Sequence, residues 1–229
     1  MSYFAITSNH PRHIKFLQTL QEHVKLSTTI IVPKEGHYPG EESFFSNCLT
    51  VPNKIYLKCN EYNLESDLVV GGLVKSKPKV GFIFGAPLIS SKIYSIPEYG
   101  CVNIHTGLVQ HYRGVDSTSW AIHDNRLDCI GVTLHYIDDS IDGGDIIDQD
   151  KIKVELEDDP NTIFFKVCQA GFGLVSKNIS NIIKNKSLKT PLGERGKLYQ
   201  TKDMTSKVVE DINRNYKKRI KEFLNENNS

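Results

Sequence analysis

At 229 residues, with 39% hydrophobic and 24% charged residues, the chain has the size and balance of one large globular domain, with room for a small appendage. A formal net charge of +1 supplies no global field that would favour nucleic acid or an acidic membrane as partner. Five scattered cysteines with no C-x-x-C pair argue against a disulfide framework or a thiolate zinc site, and fit a reducing, cytoplasmic compartment.

The opening MSYFAITSNH lacks the basic-then-apolar pattern of a signal peptide, and no apolar run approaches the roughly 20 residues that span a bilayer. Tyr3–Thr7 reads as a short buried strand. A helix follows, with Ser8 or Asn9 placed to cap it, Pro11 in the first turn, and Ile14, Leu17 and Leu20 on one face. Thr28–Val32 is a second strand, and this β-α-β opening predicts parallel pairing with a right-handed crossover. Pro33–Asn53 has no period and reads as loop; Leu64–Ser76 reads as a helix carrying two glycines. Val80–Phe84 is a continuous apolar run suited to a central strand, ended by Gly85–Pro87.

Cys101–His105 and Ile130–Ile137 are predicted strands with STSWAIHDN as a helix between them, and Asp145–Val154 continues the β pattern. Asp159 and Pro160 signal a long helix striped by Ile163, Val167, Leu174, Ile179 and Ile182, which Gly171 and Gly173 interrupt. From Thr190 the tail carries a turn-like PLGERG, then KLYQ, then a terminal helix with Val208, Ile212, Tyr216, Ile220 and Leu224 four residues apart. That stripe either docks onto its own domain or pairs with another subunit. The fold class is α/β: a mostly parallel twisted sheet with helices on both faces and a small C-terminal extension. Such sheets bind ligands outside the carboxyl ends of their strands.

Three polar features fall near predicted strand ends: Asn103 with His105, then His135, then Asp142. Together they make a general acid/base set, in which the aspartate orients an imidazole and the asparagine amide donates to a developing oxyanion. A metal held by His105, His135 and Asp142 is chemically admissible, but no H-E-x-x-H pair accompanies it, and the loop IDDSIDGG lacks the EF-hand spacing for calcium.

NIHTGLVQHYRGVDSTSWAI followed by IGVTLHYIDDSIDGGDII resembles the core of the 10-formyltetrahydrofolate-dependent formyltransferases. The shared pattern is Asn-x-His, then Tyr-x-Gly, then a strand histidine with an aspartate seven residues on, before a Gly-Gly pair. Here it falls on Asn103, His105, Tyr112, Gly114, His135 and Asp142, within a stretch from Val80 to about Gln149. The resemblance implies a Rossmann-like formyltransferase domain over residues 1–188, an extension over 189–229, and 10-formyltetrahydrofolate as co-substrate without a metal. It implies Asn103, His105 and Asp142 as the catalytic residues. The pterin of the folate would lie against Phe84, Gly85, Ala86, Pro87, Leu88 and Ile89, and against the acidic loop at Asp138 and Asp139. His135 would support that loop, and His111 reads as a bystander.

Family members differ in the amine they formylate. The first loop, TSNHPRH, has no glycine to cradle the phosphate of glycinamide ribonucleotide, and Thr106-Gly107 stands where purine and tRNA members carry Pro-Ser. Only about forty residues follow the long helix, against a barrel domain of roughly a hundred in the methionyl-tRNA enzymes. The remaining branch acts on nucleotide-linked amino sugars of bacterial surface polysaccharide such as O-antigen, and its members are often homodimers. In that reading His10, Arg12, His13, Tyr112, Arg113 and Tyr199 are candidate substrate contacts; a solvated helix start for the first three, and plain packing for Tyr199, are the structural alternatives. A formyltetrahydrofolate hydrolase and a non-catalytic folate- or nucleotide-binding module are the rival functions.

Overall fold

Alternation along the first strand divides the molecule into two cores. In β1 (Ser2–Thr7), Tyr3 and Ala5 enter one apolar cluster while Phe4 and Ile6 enter the other, so the strand is covered on both faces. The computed structural model describes residues 1–36, 38–45, 54–56 and 64–227. Its remaining elements run α1 (Pro11–Gln21), β2 (Thr28–Ile31), α2 (Glu41–Phe44), β3 (Lys54–Tyr56), α3 (Asp67–Ser76), β4 (Pro78–Phe84), α4 (Ser91–Tyr94) and β5 (Cys101–His105). Then come β6 (Tyr112–Gly114), α5 (Ser117–His123), β7 (Gly131–Tyr136), β8 (Ile146–Lys151), α6 (Pro160–Ile182), β9 (Lys197–Tyr199) and α7 (Ser206–Asn227).

Seven strands form one sheet in the order β3-β2-β1-β4-β5-β7-β8, parallel as far as β5 and antiparallel for β7 and β8. The expected mostly parallel, Rossmann-like sheet is therefore present. The order reverses between β1 and β4, and that switch point opens a crevice beyond the strand ends. Val102 and Ile104 of β5 belong to the cluster beneath α1, α5 and α6, whereas Cys101 belongs to the opposite one. Asn103 and His105 alternate with Val102 and Ile104, so both project from the face away from α6.

Several local expectations change. The residue preceding α1 is His10, with no side-chain cap; Asn9 Oδ1 instead accepts the Lys34 N–H at 2.9 Å, and Ser8 Oγ donates to Asn9. Within the predicted loop 33–53, residues Glu41–Phe44 form a short helix; His37 and 46–53 of that loop lie outside the described residues, as do Cys48 and Cys59. The long helix α6 is continuous, not interrupted at Gly171 and Gly173. Gly171 faces Ile104 and Val132, where a Cβ would meet Ile104 at 2.6 Å, so its missing side chain lets the helix lie close on the sheet. As expected, Asp159 caps this helix by accepting the Thr162 N–H at 2.7 Å, with Pro160 in the first turn. The tail folds back in cis: β9 pairs in parallel with β6, and Ile212 and Ile220 of α7 are buried in the core shared with α5 and α6. No helix among the described residues is long and apolar enough to cross a membrane.

Candidate active site

A cavity of about 750 Å3 opens at the switch point. One end is walled by the segment after β4, where each of Phe84, Gly85, Ala86, Pro87, Leu88 and Ile89 lines the space, together with Tyr94 and the acidic loop Asp138–Asp142. The Tyr94 hydroxyl donates to Asp139, tying that wall to the loop. The other end is lined by Arg12, Lys34, Tyr38 and Phe164.

Asn103, His105, His135 and Asp142 meet between these ends. The three strand ends do not converge in the way the sequence reading pictured. Because β7 runs antiparallel to β5, His135 lies within the ladder directly opposite Asn103, and only the returning loop brings Asp142 back to them. Asp142 Oδ2 stands 3.2 Å from His105 Nδ1 and accepts the Gly114 N–H at 2.8 Å. Its Oδ1 is 3.6 Å from His135 Nε2, which is also 3.1 Å from Asn103 Nδ2. On the far side of the ring, His105 Nε2 is 2.9 Å from the Tyr112 carbonyl and 3.2 Å from Ser117 Oγ. A carbonyl only accepts, so the Nε2 proton goes to Tyr112 and Nδ1 is the nitrogen that exchanges a proton beside Asp142.

Burial holds the His105 pKa below its ordinary value; Asp142 raises it without restoring it. Burial also pushes Asp142 upward, but His105, then His135 and the Gly114 N–H, leave it well below the usual carboxylate range. The resting pair is thus a neutral imidazole against a carboxylate, a set that takes up one proton on Nδ1. No group of three or more candidate metal ligands is present among the described residues.

The candidate substrate contacts separate. Arg12 and His13 line the cavity, and neither is a solvated helix residue, for both are buried. Arg12 is clamped by Glu41, Nη1 to Oε1 2.6 Å, with its guanidinium 4.9 Å from the Tyr38 ring centre and 5.4 Å from that of Phe164. His13 Nδ1 bonds Thr7 Oγ1 at 2.8 Å. His10 is buried beside His13 and does not line the cavity, because the turn into α1 points it inward. Tyr112 and Arg113 are likewise not in the wall. The Tyr112 hydroxyl donates to Asp124 at 3.2 Å, and Arg113 holds the Gly196 and Ile141 carbonyls at 2.9 and 3.1 Å. Their strand runs toward the tail, so their side chains brace loops. Tyr199 reaches the wall but is stacked on Trp120, ring centres 4.0 Å apart, with its hydroxyl on Asp124. Sequence reasoning did not single out Lys34, Tyr38, Tyr94, Asp116 or Ser117, all of which line or brace the site; none carries a spacing signal.

This arrangement defines a doubly wound α/β domain with an acid/base set at its switch point. Residues 83–177 match the formyl transferase family model. The methionyl-tRNA formyltransferase of Caldicellulosiruptor saccharolyticus is 30% identical over 179 residues, covering 73% of this chain and 56% of that protein. The bifunctional polymyxin resistance protein ArnA of Wigglesworthia glossinidia brevipalpis is 35% identical over 115 residues, covering 50% of this chain and 17% of that protein. The chain thus spans little more than half of one curated relative and a sixth of the other. Among solved structures, a sugar N-formyltransferase from Shewanella shares the fold with a TM-score of 0.67 at 18% identity, covering 93% of this chain and 87% of that one. An N-formyltransferase from Helicobacter canadensis, solved with folinic acid and dTDP-3-aminofucose, gives 0.62 at 20% identity, covering 94% and 81%.

Proposed function

We propose that the chain is an N-formyltransferase that moves the formyl group of 10-formyltetrahydrofolate onto the amine of a nucleotide-linked amino sugar, in the synthesis of a surface polysaccharide. The observation that carries this reading is the set of Asn103, His105 and Asp142 in one cavity beside the Phe84–Ile89 wall. In this reading the pterin occupies that wall and the acidic loop, and the acceptor enters from the Arg12 end. The acceptor amine attacks the formyl carbon, and the Asn103 amide donates to the oxygen that becomes negative. The amine gives up a proton to His105 Nδ1, where Asp142 stabilises it; the proton then leaves with N10 as the C–N10 bond breaks. The net exchange is one N–H bond lost by the acceptor and one gained by tetrahydrofolate.

The acceptor class draws support from the sugar N-formyltransferases among the fold relatives, while the sequence relatives named above act on other acceptors or combine activities. A transfer assay with 10-formyltetrahydrofolate and a panel of dTDP- and UDP-linked amino sugars, glycinamide ribonucleotide and methionyl-tRNA tests it. Turnover on a nucleotide-linked sugar is expected. Turnover confined to either other acceptor overturns the substrate, and rapid formate release without any amine identifies a hydrolase. His105→Ala should abolish transfer while binding of a stable folate analogue persists.

A further inference from the structure

Two charged side chains on the cavity wall have no work in the fold. Lys34 forms no ion pair and Asp116 no side-chain hydrogen bond or ion pair among the described residues, yet both line the cavity and each feels the other's charge. They contrast with Arg12, whose charge is already matched by buried Glu41 and whose guanidinium rests against the adjoining rings of Tyr38 and Phe164. Arg12 therefore adds shape and rigidity to that end of the cavity, while Lys34 supplies the unmatched positive charge. Both residues remain exposed, and partial desolvation against the cavity wall, more than any neighbouring charge, moves Lys34 below the ordinary lysine range and Asp116 above the ordinary carboxylate range.

Asp116 immediately precedes α5, where an aspartate ordinarily accepts a backbone N–H of the first turn. Here its φ is 56°, in the left-handed region, and no such bond forms. The side chain is thus left without a capping contact and lines the cavity. Its neighbours tie it to the proton-transfer pair: Gly114 N–H bonds Asp142, and Ser117 Oγ lies 3.2 Å from His105 Nε2. Lys34 is anchored in the wall by its own N–H on Asn9 Oδ1.

We propose that Lys34 and Asp116 are the two poles of an acceptor subsite, Lys34 binding the phosphate of the acceptor and Asp116 binding its protonated amine. This rests on the N-formyltransferase reading and adds to it the charge pattern of the acceptor: an anion and an ammonium on one molecule, laid across the cavity so that the amine arrives next to His105. A neutral amine or an acceptor without phosphate leaves one pole unmatched. Before attack the ammonium releases its extra proton to solvent, and the neutral amine held beside Asp116 then gives one further proton to His105 Nδ1 as it bonds the formyl carbon.

Calorimetric titration of the wild type, Lys34→Met and Asp116→Asn with inorganic pyrophosphate, UDP-glucose and UDP-glucosamine tests the two poles separately. One charge-assisted contact corresponds to about tenfold in affinity. The wild type should therefore prefer UDP-glucosamine to UDP-glucose by about that factor. Asp116→Asn should erase the preference while binding pyrophosphate as tightly as the wild type or more so, because a repelling charge is gone. Lys34→Met should weaken all three ligands about tenfold. Both side chains are open to the cavity, so thermal melts of the variants should match the wild type. Equal affinity of the wild type for the two sugars, a preference that survives Asp116→Asn, or unchanged pyrophosphate binding in Lys34→Met overturns the proposal. If the variants behave as described but no nucleotide-linked sugar is formylated, the nucleotide-sugar reading fails and the charge pattern stands.

Discussion

Asp142 occupies a left-handed backbone position, φ 48°, at the point where the acidic loop turns back toward β5. Asparagine tolerates that conformation as well as aspartate does, so Asp142→Asn keeps the turn and removes only the charge. The Gly114 N–H still finds an oxygen, but a neutral amide no longer stabilises a proton on His105 Nδ1. Turnover should fall by about 10²–10³, the usual cost of one group that acts on developing charge, with the folate KM little changed. Steady-state kinetics on the pure variant checks this, and a loss under threefold would remove Asp142 from the proton path. Asn103→Ala should cost turnover on a similar scale by removing the oxyanion donor, about 10²–10³. It also strips a partner from His135 Nε2, and comparing it with Asn103→Asp separates donation from packing.

The elements that hold these residues include one drawn from the tail. β9 pairs with β6, and through that pairing the Tyr112 carbonyl meets His105 and the Gly114 N–H meets Asp142. The approach is tight at Gly196, where a Cβ would stand 2.3 Å from the His111 carbonyl carbon. Gly196→Ala should therefore prise β9 from β6 and lower turnover at least about tenfold, although the residue is remote from the chemistry, since small misplacements of catalytic groups cost this much. The lone tryptophan, Trp120, stacks on Tyr199 and reports the event: its emission should shift in the variant, and unchanged emission with full activity would show that the tail does not brace the site. This coupling was not legible in the sequence, because three-residue strands such as Tyr112–Gly114, Lys54–Tyr56 and Lys197–Tyr199 are too short to show a period. The central strands were legible, since β4 carries the apolar run Val80–Phe84 and β5 alternates Val102 and Ile104 with Asn103 and His105, which puts the two polar residues on one face. The contact of Asp142 with His105 was implied by family resemblance, not by spacing, because it depends on β7 running antiparallel. The Arg12–Glu41 clamp joins residues 29 apart across a segment with no period, and nothing local announces it.

At the scale of the whole molecule, the crevice and the turn beneath it hold histidines that the fold keeps uncharged. His10, His13 and His105 all have pKa values lowered from 6.5, with burial the largest cause in each, and His13 lies furthest below. Both β1 and β4 depend on His13, whose ring lies 4.9 Å from that of Phe84 while Thr7 links its Nδ1 to the Phe84 carbonyl. A histidine with a lowered folded pKa contributes stability that is fully present above 6.5, because both states are then neutral. As pH falls through 6.5 the unfolded chain takes up protons first, so stability declines until the folded value is passed. Asp142 acts in a separate window: its contribution is present above 3.8, the unfolded value, and is lost only as pH falls further. The melting temperature should thus begin to fall near pH 6.5, well before carboxylates titrate, with a slope of at most about 1.4 kcal/mol per pH unit for each histidine. His13→Gln should lower the melting temperature at pH 7.5, since packing and a hydrogen bond are disturbed, yet flatten its decline between pH 6.5 and 5. Because His13 sits beneath the Phe84–Gly85 wall, amide exchange in that wall should quicken over the same interval in the wild type and not in the variant. Parallel melting curves for the two proteins would show that His13 ionises without opening the fold, and that the acid-sensitive step lies at His10 or His105 instead.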